Sequence, residues 1–178
     1  MEEWNLTTPG QDGEDIENWA LYCKSIEGAS FIRFSLACEC EAYFALAETE
    51  EAKPKRITWY FAGYGNHVNA PHWVEGHDYD YGDPDSEYAY REDPSLLGVD
   101  NPRWFEVNWS VEGKEGMIEL SSIKNEEGEG KKVWSTFPIK GHALNYFMPV
   151  TGYDQRGIWK IRIYEGVDPP KDDEEDGG

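Results

Sequence analysis

The chain has 178 residues, a formal net charge of −20 and an aromatic content of 15%. This length suits one domain with a sizeable core, and the aromatic content is typical of a chain that folds. Nucleic acid and anionic membrane surfaces both attract clustered lysine and arginine, so the charge argues against them as partners. It favours cations or neutral polar ligands, or it simply keeps the protein soluble and monomeric.

The two ends of the chain differ from its middle. Residues 1–17 are polar and contain Thr-Thr-Pro-Gly, which predicts an irregular N-terminal arm before a β-sandwich domain over residues 18–166. Residues 167–178 are predicted to form a disordered acidic tail or linker, because this composition buries too little apolar surface to fold.

Targeting and cysteine patterns indicate a soluble protein that is cytoplasmic as the chain stands, and they leave its compartment open, secretion included. The sequence offers no apolar run of about 18 residues for a membrane span, and its first residues lack the basic and apolar regions of a signal peptide. The three cysteines, Cys23, Cys38 and Cys40, do not suggest a disulfide framework. We expect them to be buried thiols, because one cysteine pair cannot supply the four ligands of a zinc site.

Side-chain alternation between the ends predicts strands. Residues 31–38 show it well, with Ile32, Phe34, Leu36 and Cys38 facing the core and Phe31, Arg33, Ser35 and Ala37 facing the other side. The predicted strands are residues 19–23, 31–38, 41–47, 56–62, 104–110, 116–120, 132–137, 143–150 and 158–164. About nine short strands predict an all-β, antiparallel, jelly-roll-like sandwich, with a barrel as the next choice.

Four segments resemble the farnesoic acid O-methyltransferase-like domain. They are residues 31–47, Ile57-Thr58-Trp59-Tyr60-Phe61-Ala62-Gly63-Tyr64-Gly65-Asn66-His67, Trp104-Phe105-Glu106-Val107-Asn108-Trp109 and Gly157-Ile158-Trp159-Lys160-Ile161. The resemblance covers residues 19–164 and implies a β-sandwich module that recurs in diverse proteins. The family's name implies methyl transfer from S-adenosylmethionine to a sesquiterpenoid acid. The chain departs from the family pattern at Glu41-Ala42-Tyr43, where the family has an acidic-Ala-His triplet, and at Ala62-Gly63, where it has Gly-Gly.

The stretch from Pro71 to Pro102 is predicted to be long and mostly irregular, and loops of that length are usually functional or mobile. In it, aromatic side chains interleave with carboxylates, which suits a sugar: rings stack on its apolar face, and acids accept hydrogen bonds from its hydroxyls. The candidate ligand-binding residues are His72, Trp73, Tyr79, Tyr81 and Tyr88, together with Asn66 at the preceding glycine-rich turn. The alternatives are that the aromatics fold back onto the core and that Asn66 only caps its turn.

The same stretch carries closely spaced carboxylates at Asp78, Asp80, Asp83 and Asp85. Calcium takes six to eight oxygen ligands, and such a run supplies several of them. An EF-hand is excluded, because its twelfth position, which needs a bidentate glutamate, falls on Ala89. The run therefore predicts either an irregular calcium site or a solvated acidic loop.

The sequence as a whole favours a non-catalytic ligand-binding module for a small polar ligand or glycan. It contains no strained G-x-S-x-G nucleophile turn and no H-E-x-x-H pair, so we assign no catalytic residue. Two alternatives stay open. One is an interaction or structural domain whose partner is another protein, and the other is the methyltransferase that the family name implies.

Overall fold

The computed structural model describes residues 1–11, 22–39, 42–50, 55–62, 68–75, 87–91, 97–110, 116–139, 143–152 and 156–165. These residues form thirteen strands in two sheets, and they include no helix. Among them, no segment qualifies as a membrane-spanning helix. The predicted antiparallel β-sandwich is confirmed.

In chain order the strands are β1 (Glu2–Thr8), β2 (Gly10–Gln11), β3 (Lys24–Ser25), β4 (Ala29–Ala37), β5 (Ala42–Ala47), β6 (Lys55–Ala62), β7 (Val68–Glu75), β8 (Tyr90–Arg91), β9 (Arg103–Ser110), β10 (Met117–Ile123), β11 (Lys132–Pro138), β12 (Tyr146–Gly152) and β13 (Gly157–Glu165). Sheet A has the order β1-β13-β4-β9-β10-β11. Sheet B has the order β2-β12-β5-β6-β7-β8, and β3 also pairs with β12. The pairing of β2 with β12 is parallel.

The core lies between the inner faces of the two sheets. Ile32, Phe34, Leu36 and Cys38 all belong to it, as the alternation predicted. Phe34 of sheet A is fully buried, and its ring lies 5.5 Å from that of Phe44 in sheet B and 5.7 Å from that of Trp159 in its own sheet. Aromatic contacts of this kind join the sheets through large buried apolar surfaces, which is the main source of stability.

The structure differs from the predicted irregular N-terminal arm. Residues 2–8 form β1, which pairs with β13 in antiparallel register from Glu2 opposite Ile163 to Thr8 opposite Gly157. Trp4 and Leu6 pack against the core, and Glu3, Asn5 and Thr7 alternate with them on the outer face. The prediction was wrong because this strand obtains its hydrogen bonds from a partner that lies about 150 residues away in the sequence.

Two other segments also differ from the prediction. Pro71 lies inside β7, opposite Trp59, so the first five residues of the stretch predicted to be irregular belong to a strand. Proline lacks a backbone donor and argues against a strand, but here β7 lies next to the short edge strand β8. Tyr22 and Cys23 are the described part of the predicted strand 19–23, and they lie outside the strands, because pairing with β12 begins at Lys24.

The outer face of sheet B carries a second buried cluster. Its members are Tyr43, Ala45, Ala47, Tyr60, Met148 and Val150, and Cys23 and Tyr146 pack against it. Strands β5, β6 and β12 are therefore buried on both faces, and β5, Ala-Tyr-Phe-Ala-Leu-Ala, is a continuous apolar run rather than an alternating one.

The thiol of Cys23 should be unreactive at neutral pH. Burial, followed by the nearby Glu50 carboxylate, raises the pKa of Cys23 from 9.0 to about 11. Because the thiolate is the nucleophile, iodoacetamide at about pH 8 should alkylate Cys23 at least about ten-fold more slowly in the folded protein than in denaturant. Peptide-resolved mass spectrometry measures both rates, and equal rates would contradict the assignment. The unfolded chain loses this proton first, so the contribution of Cys23 to stability should be lost as the pH rises from about 9 to about 11.

The outer face of sheet A is partly covered by the loop Lys124–Lys131, which joins β10 to β11. Arg33 projects from this face of β4 and is 5% exposed. Its Nε donates to Glu106 Oε2 at 2.9 Å, and its Nη1 donates to the backbone oxygen of Glu126 in the loop at 3.1 Å. Lys131, at the end of the loop, also pairs with Glu106, at 3.0 Å. These contacts hold the loop against the sheet.

Gly128 lies at the point where this loop approaches Arg33. Its φ is 83°, and an added Cβ would lie 2.5 Å from Arg33 Nη2. Gly128→Ala should therefore lower the free energy of unfolding by about 2 kcal/mol, since it combines a left-handed backbone conformation with a steric clash. Gly28 has a φ of 81° and open space around it, so Gly28→Ala, which carries the backbone cost alone, is the matched control. Equal losses in urea denaturation would show that the contact with Arg33 does not matter.

Candidate functional site

A groove crosses the outer face of sheet A beside the loop Lys124–Lys131, over strands β1, β13 and β4. Its volume is about 520 Å³, and it is lined by Asn5, Leu6, Thr7, Ser35, Ala37, Pro102, Ile158, Trp159 and Lys160. The strand register explains how distant residues meet here. Asn5 lies opposite Lys160, and Lys160 lies opposite Ser35, so three strands contribute one row of side chains to the groove.

The groove combines apolar and polar side chains. Ile158 is 58% exposed, which is unusual for isoleucine in a folded protein, and Thr7 lies opposite it on β1. Ser35 is only 7% exposed and lies deeper in the face. One strand beyond Ser35, in the same register row, the half-buried Trp104 lies on the same face. The groove thus ends beside a partly exposed tryptophan.

Ion pairs balance the charges along the groove. Lys160 Nζ lies 3.6 Å from Glu3 Oε1 and 3.5 Å from Glu126 Oε2. The same two carboxylates bind Arg162, at 3.0 Å and 2.8 Å. The hydrogen bond from Arg162, and then one from Asn5, lower the pKa of Glu3, so that carboxylate stays ionised at mildly acidic pH.

Two of the aromatic residues predicted to bind ligand pack at the opposite edge of the sandwich, where β7 faces β11. The ring of Trp73 lies 4.1 Å from that of Phe137, and its Nε1 donates to the backbone oxygen of Pro138 at 3.2 Å. Tyr88 meets Phe137 edge-on at 5.0 Å. Trp73 and Tyr88 are both half-buried against the core, which was the alternative that the sequence left open.

A cation–aromatic stack completes the same edge. Tyr90 lies parallel to Trp134 at 4.3 Å, with Arg103 over Trp134 at 4.6 Å and Lys132 over Tyr90 at 5.6 Å. Strand β8 belongs to sheet B and β11 to sheet A, so the stack joins the two sheets. Contacts of this kind contribute about 0.5–1 kcal/mol each where they are exposed. The aromatics around the predicted loop therefore help to close the open side of the sandwich.

The remaining predicted site residues are described only in part or lie outside the described residues. His72 is in β7, opposite Thr58, and only its backbone is described. Outside the described residues lie Asn66, Tyr79, Tyr81, Asp78, Asp80, Asp83 and Asp85. The described part of the chain contains no cluster of three or more His, Cys, Asp or Glu side chains placed to hold a metal ion. The binding loop and its calcium site stay predictions.

Comparisons with known proteins give no family for this chain. No known family model matches it, and no curated protein matches its sequence. Among solved structures, it is similar to the CBM40 carbohydrate-binding module of the Ruminococcus gnavus IT-sialidase, solved with α2,3-sialyllactose. That match has 11% identity and a TM-score of 0.45, and it covers 94% of this chain and 91% of that one.

It is also similar to the tail fiber protein gp63.1 of a phage of E. coli, with 9% identity and a TM-score of 0.44. This match covers 94% of the chain but only 21% of the tail fiber protein. At these scores, neither similarity bears on the ligand or the activity of this chain.

The groove itself was not predicted from the sequence. One part of it could have been predicted, because the residues that alternate with core residues along β13 share a face: Ile158, Lys160, Arg162 and Tyr164. The missing information was the neighbour of β13. Asn5 and Thr7 belong to residues that were predicted to be an irregular arm, so nothing in the sequence placed them beside Ile158 and Lys160.

Proposed function

We propose that this chain is a non-catalytic carbohydrate-binding module and that the groove on sheet A is its binding site. The observation that carries the proposal is the composition of the groove, in which the exposed Ile158 is flanked by hydroxyl and amide side chains and which ends beside Trp104. A concave site with a few convergent polar groups is the usual form of a small-ligand site.

A sugar ring matches this arrangement in two ways. Its apolar face can lie on the exposed side chain of Ile158 or stack on the indole of Trp104, which excludes water from both surfaces. Its hydroxyls both donate and accept hydrogen bonds, and the side chains of Asn5, Thr7 and Ser35 have both capacities. The site needs little rearrangement to bind, since all of these side chains except Trp104 come from one continuous run of three paired strands, and Trp104 is on the next strand.

The acidic, aromatic-rich loop stays a second location for the same function. Trp73 and Tyr88 use much of their surface in closing the sandwich, which leaves less of it for a ligand. Ile158 in the groove, by contrast, is 58% exposed. We therefore place recognition in the groove, and the two locations make different predictions for substitutions.

Two substitutions in the groove test the proposal. Trp104→Ala and Ile158→Asp should each weaken binding to the best ligand on a glycan array by at least about ten-fold, or about 1.4 kcal/mol, because each removes an apolar surface for the sugar. Ile158 is exposed, Trp104 is only half-buried and neither belongs to the buried core, so the variants should fold. Val133 is 41% exposed on the edge strand β11, and Val133→Asp is the matched control. Isothermal titration calorimetry with the array's best ligand measures each affinity.

Three results would contradict the proposal or move the site. An array without signal would remove carbohydrate as the ligand. Wild-type affinity in both groove variants, with loss in Trp73→Phe, would move the site to the predicted loop. A rise in melting temperature with S-adenosylmethionine would favour the methyltransferase that the family resemblance implies, because a ligand that binds only the folded state stabilises it.

A further inference from the structure

We infer that the groove selects uncharged saccharides over chains that carry carboxylate, sulfate or phosphate groups. This inference rests on the proposed function and specifies the ligand class of the same site. It follows from how the charges on the outer face of sheet A are paired. A groove that bound anionic sugars would need a cation whose charge is available to the ligand.

Lys160 is the one cation among the described residues that line the groove, and its charge is already matched. The two carboxylates near its ammonium, Glu3 and Glu126, also bind Arg162, so two positive and two negative groups form a closed set. An anionic ligand at Lys160 would have to approach both carboxylates at close range. Like charges within a few ångströms repel, and the repulsion is stronger in a partly buried site than in water.

Two other cations on this face, Arg33 and Lys131, are matched as well. Arg33 is buried against Glu106, and Lys131 lies 3.0 Å from Glu106 and 3.4 Å from Glu119. These four groups again carry two positive and two negative charges, and the loop Lys124–Lys131 covers Arg33. An approaching anion also meets the field of a chain with a net charge of −20, which acts over about 10 Å at moderate salt.

The uncharged polar side chains of the groove remain available to a neutral ligand. Asn5 donates one long hydrogen bond, 3.4 Å, to Glu3, which leaves its carbonyl oxygen as an acceptor. Ser35 and Thr7 each offer a hydroxyl that both donates and accepts. A hydroxyl-rich, uncharged chain satisfies this set without separating an ion pair.

Calorimetry with chains of matched length tests the inference. The neutral probes are hexasaccharides of glucose, xylose and mannose, and the anionic probes are hexasaccharides of galacturonic acid and of sulfated galactose. We expect the best neutral probe to bind at least about ten-fold more tightly than either anionic probe at about 20 mM NaCl. Its Kd should change by less than about two-fold at about 300 mM NaCl, because no net charge is neutralised on binding.

A double variant tests the mechanism. Glu3→Gln with Glu126→Gln frees Lys160 and Arg162 from their carboxylates, and we expect it to strengthen binding of the anionic probes by at least about five-fold and to leave the neutral affinity within about two-fold. Glu2→Gln with Glu127→Gln changes the net charge equally and leaves the two carboxylates at Lys160, Glu3 and Glu126, in place, so it is the matched control.

Each outcome of these experiments decides between the two claims. An anionic probe that binds more tightly than every neutral probe would overturn the inference and keep the proposed function. Equal effects of the two double variants would also overturn it, because the paired charges would then not set the specificity. If no saccharide binds, either here or on the array, the proposed function is wrong and the inference fails with it.

Discussion

Replacing Arg33 with methionine should lower the free energy of unfolding by about 3 kcal/mol, because it leaves a buried carboxylate without its main partner. Glu106 is 1% exposed, and Arg33 Nε lies 2.9 Å from it. Lys131 remains 3.0 Å away and compensates for part of the loss. Methionine keeps most of the apolar volume of arginine, so the change is mainly electrostatic.

The same variant should loosen the loop Lys124–Lys131. Arg33 donates to the backbone oxygen of Glu126, and its guanidinium lies 5.0 Å from the ring of Phe31 and 5.2 Å from that of Tyr164. Once these contacts are lost, the loop has fewer interactions with the sheet. Limited proteolysis should then cut within residues 124–131 before the rest of the domain unfolds.

Two comparisons separate this effect from ordinary surface electrostatics. Lys24 pairs with Glu2 at the surface, so Lys24→Met should change stability by less than about 1 kcal/mol. Arg33→Met with Glu106→Met removes both buried charges and should be less destabilising than Arg33→Met alone, because no charge is left unmatched. Urea denaturation gives all three values. An Arg33→Met protein as stable as the wild type would refute the role given to this ion pair.

Gly157→Ala should lower the free energy of unfolding by about 3 kcal/mol, the upper part of the range for overpacking a buried site. An added Cβ would lie 2.6 Å from Thr151 Cγ2, 2.7 Å from Thr8 Oγ1 and 2.9 Å from Trp159 Nε1. These atoms belong to a buried network, in which Trp159 Nε1 donates to Thr8 Oγ1 at 3.0 Å and the two threonine hydroxyls lie 2.8 Å apart. None of these side chains can move far without disturbing a hydrogen bond.

This network joins β1 and β13 of sheet A to β12 of sheet B. Disrupting it should therefore disturb the strands that line the groove as well as the core. Gly98→Ala is the control, because an added Cβ there meets nothing within 4 Å. Thermal unfolding should show a large drop in Tm for Gly157→Ala and almost none for Gly98→Ala. Similar Tm values for both variants would mean that the site relaxes easily.

The alternation in residues 31–38 shows how far the sequence determines the fold. It correctly assigned Ile32, Phe34, Leu36 and Cys38 to the core, because a strand places every second side chain on the same face. It left the opposite face open, and that face is buried too, with Phe31, Arg33, Ser35 and Ala37 all less than 9% exposed. Their burial depends in part on a loop some ninety residues further along the chain.

The candidate site was harder to predict for the same physical reason. Each strand that lines the groove contributes two or three side chains. These side chains come together only when β1 pairs with β13 and β13 pairs with β4. Composition drew attention instead to the acidic, aromatic-rich stretch after Pro71, where the relevant residues are close in sequence. Two of its aromatics, Trp73 and Tyr88, pack against Phe137 at the sandwich edge.

A nuclear magnetic resonance titration with the best neutral hexasaccharide tests the central claim, that the outer face of sheet A binds sugar, most directly. The chain has eight tryptophans, and their indole N–H signals report on separate parts of the fold. The indole signal of Trp104 and the backbone amide signals of Lys160 and Ile158 should shift with increasing ligand. The indole signal of the buried Trp59 should not shift. Shifts confined to Trp73 and Tyr88, with none at Trp104, would contradict the assignment of the groove.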